Sequence, residues 1–349
     1  MKVGILTGGG DAPGLNAVVR AIVRKAIQEY GYETVGVIDG WRGLVAGEFV
    51  PLNLNSVSGI LHKGGTILGT SRTNPFKSED GANAILKNIS EQGIDALIAI
   101  GGEDTLGVAS KIHELGVPIV GVPKTIDNDL VGTDYSFGFQ TAVTIACDAL
   151  DKLHSTAEAH HRVIILEVMG RNTGWIALEA GVAGGADAIL IPEYPFDIEE
   201  VYDSISRRQR SGKNFSLIVV AEGATPKGGA ETLYSSKVDE FGHERLGGIG
   251  YHLEREIKRK FPKTDARVVI LGHLQRGGSP TPFDRVLATK LGTRAAEMIE
   301  NREFGFMVGV KGKSLVNVPL HAVAKGPRLV PLNDPLLESA RAVGTCFGD

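Results

Sequence analysis

The sequence predicts an α/β protein with two similar doubly wound, Rossmann-like lobes, mainly parallel sheets and an active-site cleft between the lobes. Three observations carry that expectation. Short runs of continuous apolar residues recur, as in strands buried on both faces. Stretches with helical apolar spacing separate them. One unit also occurs twice: Val3–Ile22 (VGILTGGGDAPGLNAVVRAI) and Val163–Val182 (VIILEVMGRNTGWIALEAGV) share a plan of apolar strand, Gly-bearing turn and helix.

The expected strands are Val3–Thr7, Thr34–Ile38, Ala96–Ile100, Ile119–Val122, Val163–Val168, Ala188–Ile191, Ser216–Ala221 and Val268–Leu271. Helices are expected at Asn16–Glu29, Phe139–Ala157 and Pro282–Ile299, among others. In the second of these, Phe139, Val143, Ala146, Leu150 and Leu153 fall on one face. No Pro- or Ser-rich linker interrupts the chain, so the lobes are expected to cross over in sequence. The boundaries read as 1–138 plus about 256–305 for one lobe, and 139–255 plus about 306–349 for the other. The tail after Leu315 carries no readable motif and is expected to pack as structural helix and loop.

Composition narrows the function classes. The 349 residues are 42% hydrophobic and 22% charged, with net charge −4, so no strongly basic surface points to nucleic acid. Cys147 and Cys346 form neither a disulfide framework nor a zinc-spacing pattern, which suits a reducing cytoplasm. No apolar run approaches the roughly 20 residues of a membrane helix. The opening Met1-Lys2-Val3-Gly4 is broken too soon for a signal peptide.

Ligands of open parallel sheets sit at the carboxyl ends of strands. The first such end is Thr7-Gly8-Gly9-Gly10-Asp11-Ala12-Pro13-Gly14, opening a helix at Leu15. Consecutive glycines let backbone N–H groups converge on an anion, and the helix N-terminus adds a favourable dipole, so phosphate is the guest that fits. A dinucleotide fingerprint needs Gly where Pro13 stands, although Asp39 would mimic its acidic partner. A Walker loop needs Gly-Lys-Ser/Thr where Gly14-Leu15-Asn16 follow. The next end is Gly101-Gly102-Glu103-Asp104-Thr105, with a helix starting near Thr105. Paired acids beside phosphate-binding glycines call for a cation, and Mg²⁺ takes carboxylate and phosphate oxygens together. Directly after Ile119–Val122 comes Pro123-Lys124-Thr125-Ile126-Asp127-Asn128-Asp129, the expected reacting centre. In an extended segment Asp127 and Asp129 point to one side, which suits a base and its orienter or metal partner.

Later strand ends add charge. Arg171, in Glu167-Val168-Met169-Gly170-Arg171-Asn172, could neutralise a transferring phosphoryl group. Ala221-Glu222-Gly223 offers one acid to sugar hydroxyls. Arg267, His273 and Arg276 gather around Gly272-His273-Leu274-Gln275-Arg276-Gly277-Gly278, and Arg forks bind phosphate dianions bidentately. Arg162, just ahead of Val163–Val168, stands as a further charge. Its neighbours His160 and His161 are adjacent, a poor spacing for one zinc. Each segment also has a plainer reading as a tight turn, an N-cap or a solvated arginine. Their common place at strand ends favours chemistry.

Together, LTGGGDAPGLNA, GGTILGTSRT, GGEDT, PKTIDND, EVMGRNTGW, AEG and LGHLQRGGSP resemble the phosphofructokinase family, in order and approximate spacing along nearly the whole chain. The likeness is greatest to pyrophosphate-dependent members related to the bacterial ATP enzymes. It implies a 6-phosphofructokinase moving a phosphoryl group from inorganic pyrophosphate to the 1-hydroxyl of fructose 6-phosphate. The products are fructose 1,6-bisphosphate and phosphate, in a reversible reaction of glycolysis and gluconeogenesis. The first lobe would carry the donor and the second the sugar phosphate.

The resemblance also implies roles. Gly9, Gly10, Arg72, Asp104 and Lys124 would surround the donor phosphates, and Glu103 would hold Mg²⁺. Asp127 would be the base, with Thr125 and Asp129 supporting the sugar. Arg171 and Lys124 would absorb charge on the transferring group. Met169, Gly170 and Glu222 would line the sugar pocket. Arg162, Arg267, His273 and Arg276 would hold the 6-phosphate. In the family Arg162 and Arg267 reach in from a neighbouring subunit, which implies self-association with shared sites.

Asp104 decides the donor. ATP-using relatives typically carry Gly there, and an Asp opposes a nucleotide's α-phosphate by bulk and charge. Lys124 can pair with the terminal phosphate of pyrophosphate as a point charge. ATP is the alternative donor. A non-catalytic sugar-phosphate sensor would have lost Asp127 or Glu103, and a nicotinamide dehydrogenase would keep the third Gly. Arg20 and Arg24 match effector-binding positions, but His154 stands where Arg is usual, so weak or absent nucleotide regulation is expected.

Overall fold

A computed structural model of the chain describes residues 1–229, 231, 233–235, 240–242 and 245–349. In chain order the strands are β1 (Lys2–Thr7), β2 (Glu33–Val37), β3 (Phe49–Leu52), β4 (Ala96–Gly101), β5 (Ile119–Thr125), β6 (Phe137–Gly138), β7 (Val163–Val168), β8 (Ala188–Leu190), β9 (Ser216–Ala221), β10 (Leu233–Ser235), β11 (Arg245–Leu246), β12 (Ala266–Ile270), β13 (Phe306–Lys311) and β14 (Ser314–Pro319). The helices are α1 (Leu15–Gln28), α2 (Trp41–Ala46), α3 (Gly81–Gln92), α4 (Glu103–Glu114), α5 (Phe139–His160), α6 (Trp175–Ala183), α7 (Ile198–Arg210), α8 (Ile249–Lys260), α9 (Pro282–Glu300), α10 (Leu320–Val323) and α11 (Pro335–Ala342).

The chain forms two compact units, each drawn from separate stretches. The first comprises Met1–Thr141, Asp239–His243 and Arg276–Pro327; the second comprises Ala142–Val238, Glu244–Gln275 and Arg328–Asp349.

The first unit's sheet runs β14-β13-β5-β4-β1-β2-β3, with β6 beside the end of β5. It is parallel except for the outer strands β3 and β14. The central strands β1, β4 and β5 are buried almost end to end because helices cover both faces. Val3 and Ile5 pack with α1 and α9 residues such as Val19 and Leu291. Leu6 turns to the opposite face, with Trp41, Ile85 and Leu106. The connection after β1 therefore leaves on one face and that after β4 on the other. Adjacent strands whose connections diverge in this way mark a switch point, where open α/β sheets bind ligands.

The second unit repeats the device in a smaller parallel sheet, β12-β7-β9-β8. Val163, Ile165, Ile218 and Val220 pack with α7 and α8. Ile164 and Leu217 face the side on which Ala157 of α5 lies. Gly181 of α6 also lies on that side, against Ile189 and Val219. The chain leaves β7 toward α6 and leaves β9 toward the opposite face, so β7 and β9 flank a second switch point. The repeated strand–turn–helix units read in the sequence are β1–α1 and β7–α6.

The return segments depart from the expected boundaries in both directions. β12 pairs with β7 from Ala266↔Val163 to Ile270↔Glu167, placing it in the second unit. β13 pairs with β5 through Phe306↔Val120 and Met307↔Gly121, placing the hairpin β13–β14 in the first. An apolar run suits either sheet, so its local pattern does not say which it joins. The tail beyond Leu315 accordingly begins in a sheet strand, not in helix and loop. Among the described residues, no helix is long and apolar enough to cross a membrane.

Candidate active site

In the first unit, the glycine run after β1 is narrower as an anion site than its sequence suggests. Gly8 N–H donates to Ile100 O and Gly9 N–H to Ser71 O, both at 2.9 Å. Those two donors are used within the fold, so Gly9 offers no N–H to a donor phosphate. Its own role is the turn: φ is 78°, and its carbonyl accepts from Thr70 Oγ1 at 2.6 Å. Gly10 is the residue that meets the cations. Its carbonyl accepts from Lys124 Nζ. A Cβ on Gly10 would lie 2.7 Å from Arg276 Nη1, so the guanidinium packs directly against this glycine.

Arg276 Nη1 also donates to Asp11 O at 3.1 Å. Its charge thus acts on the glycine loop, whereas the family resemblance assigns it to the sugar phosphate. Arg72 lies exposed on the neighbouring loop. Its charge and that of Arg276 both disfavour a proton on Lys124.

Lys124 is the central cation of this unit. It stands near the end of β5, only 3% exposed. Burial pushes its ammonium down to about 7, Arg276 adds to the effect, and Asp127 and Asp11 oppose it. The pairing Gly101↔Pro123 sets the start of α4 beside this strand. Glu103 and Asp104 are the first residues of α4, after an extended Gly102. The helix therefore begins two residues before Thr105, and both acids gain from its N-terminal dipole. Among the described residues no group of three or more His, Cys, Asp or Glu forms a metal cage. Two half-buried carboxylates at a helix start fit Mg²⁺, which keeps several waters and takes few protein ligands.

The PKTIDND segment is extended only to Thr125, the end of β5, and not across Asp127–Asp129, as the alternation argument required. Asn128 has φ 53° and turns the chain between the two aspartates. Its side chain pins that turn: Nδ2 donates to Asp134 O at 3.2 Å, and Oδ1 accepts from Ser136 N at 3.0 Å. Ser136 Oγ donates to Thr125 O at 2.8 Å, closing the loop onto β5. Thr125 Oγ1 accepts from Asp127 N at 3.1 Å. Asp127 is consequently fixed and 8% exposed, while Asp129 lies beyond the bend, half-buried. Asp39, the acid that would serve a dinucleotide ribose, is paired with Arg42 at 2.8 Å.

In the second unit, Met169, Gly170 and Arg171 form a tight turn just past β7. Gly170 has φ 144° and Arg171 has φ 54°, so Arg171 sits in the turn, not on the strand. Arg171 N donates to Glu222 Oε1 at 3.1 Å, and Glu222 N donates to Val168 O at 2.9 Å. A Cβ on Gly223 would lie 2.1 Å from Arg171 O, so the β9 end approaches as glycine only. Met169 N donates to Gln275 Oε1 at 2.8 Å. His273 is exposed in the turn Gly272–Arg276 after β12.

Arg162 and Arg267 flank Asp265, at 2.7 Å and 3.0 Å. The Arg162 hydrogen bond holds the Asp265 carboxyl below its usual range. Within one chain these two arginines therefore answer an acid of their own unit. Sequence reasoning passed over Asp265 and Gln275. Gln275 lies inside a motif read only for its cations, and Asp265 is one residue from the strand it serves.

The phosphofructokinase family model matches residues 2–299. The chain is 54% identical over 332 residues to a pyrophosphate–fructose 6-phosphate 1-phosphotransferase of Amycolatopsis methanolica, covering 95% of this chain and 96% of that protein. It is 51% identical to an ATP-dependent 6-phosphofructokinase of Mycobacterium leprae, covering 95% and 96%. Its fold matches a phosphofructokinase structure from Saccharomyces cerevisiae with TM-score 0.81 at 32% identity, covering 93% of this chain and 45% of that longer one.

Proposed function

The chain belongs to the phosphofructokinase family, and from that premise we infer that it is a pyrophosphate-dependent 6-phosphofructokinase. It transfers a phosphoryl group from inorganic pyrophosphate to the 1-hydroxyl of fructose 6-phosphate, giving fructose 1,6-bisphosphate and phosphate. The observation that carries the choice of donor is the start of α4. Asp104 stands there beside Glu103, adding negative charge and bulk where a nucleotide would need neither. The 54% identity to a pyrophosphate enzyme points the same way.

The roles follow from placement. Asp127, fixed by Thr125 and the Asn128 turn, takes the proton of the 1-hydroxyl as its oxygen attacks the terminal phosphorus. The bond from that phosphorus to the bridging oxygen breaks, and inorganic phosphate leaves. Lys124 and Arg276, over Gly10, hold the donor phosphates, and Arg72 approaches from the adjoining loop. Arg171 meets charge on the transferring group. Glu103 and Asp104 would hold Mg²⁺, which supplies further charge neutralisation when bound. Met169, Gly170 and Glu222 line the sugar, Asp129 supports the base, and His273 meets the 6-phosphate. Arg162 and Arg267 serve that phosphate in a neighbouring copy of the chain, which makes the active form an oligomer. The setting is the cytoplasm.

Steady-state turnover of fructose 6-phosphate with pyrophosphate and with ATP, each with Mg²⁺, tests the reading. Turnover with pyrophosphate and little with ATP is expected. Robust ATP turnover without any from pyrophosphate would assign the chain to the ATP-dependent enzymes.

A further inference from the structure

The loop that carries Asp127 is held at its far end as well. β6 pairs with the end of β5 through Lys124↔Phe137 and Thr125↔Gly138, and α5 starts at once at Phe139. One carboxylate grips that junction. Asp284, in the first turn of α9, is fully buried. Its Oδ2 accepts from Thr141 N at 2.8 Å and from Thr141 Oγ1 at 2.6 Å. The Gly138 backbone N–H donates to the same carboxylate.

The grip is reciprocal. Thr281, the N-cap of α9, donates its N–H to Thr141 Oγ1 at 3.0 Å, and its own Oγ1 accepts from Asp284 N at 3.3 Å. The starts of α5 and α9 thus cap each other, each satisfying backbone donors that the other leaves over. Burial pushes the Asp284 carboxyl up, and bonds from Thr141, Gly138 and Thr281 oppose the push; no cation is among those partners. Two helix N-termini meeting at one carboxylate supply the compensating positive potential.

A buried acid without a cation is costly, and a serine or an exposed aspartate caps a single helix as well. What this enclosed carboxylate adds is a rigid tie from α9 to Gly138 and Thr141, the residues that close the loop 125–138. Ser136 and Asn128 pin that loop from within; Asp284 pins it from outside.

We propose that Asp284 is a positioning residue for phosphoryl transfer. Through Thr141 and Gly138 it holds β6 against Lys124 and Thr125, and so holds the Asp127 carboxylate in place for the proton it takes. The inference rests on the reading of Asp127 as the base.

Variants of the full chain measure that hold. kcat and KM are read by steady-state assay with the donor the parent uses, fructose 6-phosphate affinity by calorimetry and folding by thermal unfolding. Asp284→Ala removes the grip. Its kcat should fall about 100-fold, the scale of an ångström of misplacement, with Kd for fructose 6-phosphate changed by less than about threefold. Asp284→Asn keeps one oxygen for Thr141 and sets an amide nitrogen at the place of Oδ1, which is buried without a partner among the described residues. Its Tm should fall, yet its kcat should stay within about fivefold of the parent. A merely structural role would make kcat follow stability instead. Coupling is the sharpest readout: in the Asp127→Asn background, Asp284→Ala should lower the residual rate by less than about twofold, because the group it positions is already gone.

Parent-like kcat in folded Asp284→Ala would overturn the positioning role. So would a full 100-fold loss in the Asp127→Asn background, which would show that Asp284 acts on the fold at large. Should Asp284→Ala fail to fold, Thr141→Val decides. A loss of about tenfold in kcat, the worth of one hydrogen bond, that vanishes beside Asp127→Asn supports the hold, and an unchanged kcat overturns it. Failure of the base reading looks different: Asp127→Asn alone would stay active within about tenfold of the parent, and the role of Asp284 would fall with it.

Discussion

The two units use one architectural device and opposite electrostatics. Each sets a glycine-bearing turn at a switch point of its sheet, β1 against β4 in one and β7 against β9 in the other. In the first unit the decisive cation is buried. Lys124 is 3% exposed and has lost much of its hold on a proton. In the second, Arg162 and Arg267 are less enclosed, with side chains 26% and 54% exposed and both paired to Asp265. The difference fits the two tasks. A group acting on charge that develops during transfer gains from a dry, fixed surrounding. A group that captures a phosphate arriving from water gains from exposure and can exchange one anion for another.

The largest test of that contrast lies at Asp127, the base proposed for the first unit. Asp127→Asn keeps the shape and the hydrogen bond from residue 127 N to Thr125, and removes the proposed base. A loss of about 10³ in kcat is expected, the range of a general base, with fructose 6-phosphate affinity changed by less than about threefold. Activity within tenfold of the parent would move the base elsewhere. In the second unit the matching substitution is Asp265→Asn, and its effect should be small. Freed of a competing carboxylate, Arg162 and Arg267 should lower KM for fructose 6-phosphate by up to about fivefold, the scale of an exposed ion pair. A rise in KM would mean that Asp265 holds the arginines in place instead of competing with the substrate.

Much of this was legible in the sequence, for a physical reason. Buried parallel strands must be apolar throughout, and glycines at their ends are required by close approach, so the strand ends of both units stand out. Most of the unread parts depend on partners outside the local motif. Gly9 N–H is taken by Ser71 O, and the Arg276 guanidinium packs against Gly10. Neither fact is visible in the local string GGG. The alternation of Asp127 and Asp129 failed because Asn128 can adopt a left-handed turn and finds Asp134 and Ser136 to pin it. The apolar runs β12 and β13 fit either sheet, and only their pairing assigns them. Gln275 was missed because an uncharged side chain among arginines draws no attention until its burial is known.

The smallest effect bears most directly on the buried cation. Lys124 titrates at about 7 in the folded chain, against 10.5 for a free lysine. At pH 8 it is mostly neutral. Pyrophosphate placed beside it favours the ammonium, so donor binding should draw a proton from solvent. At pH 6 Lys124 already carries that proton, and its share of the uptake should vanish. Calorimetric titration of pyrophosphate in buffers of differing ionisation enthalpy measures the count. The Lys124→Met variant subtracts protons exchanged by pyrophosphate itself. The expected difference between parent and variant is a large fraction of one proton at pH 8, falling toward zero at pH 6. Folding gives an independent check with a fixed sign. Between about pH 7 and 10.5 the unfolded chain binds more protons at this residue than the folded one, so its contribution to stability rises with pH across that window. In Lys124→Met that part of the rise should be missing. Equal proton uptake and equal pH profiles in the two proteins would show that Lys124 is charged throughout, and the contrast between a neutral buried cation and exposed paired ones would fail at its first member.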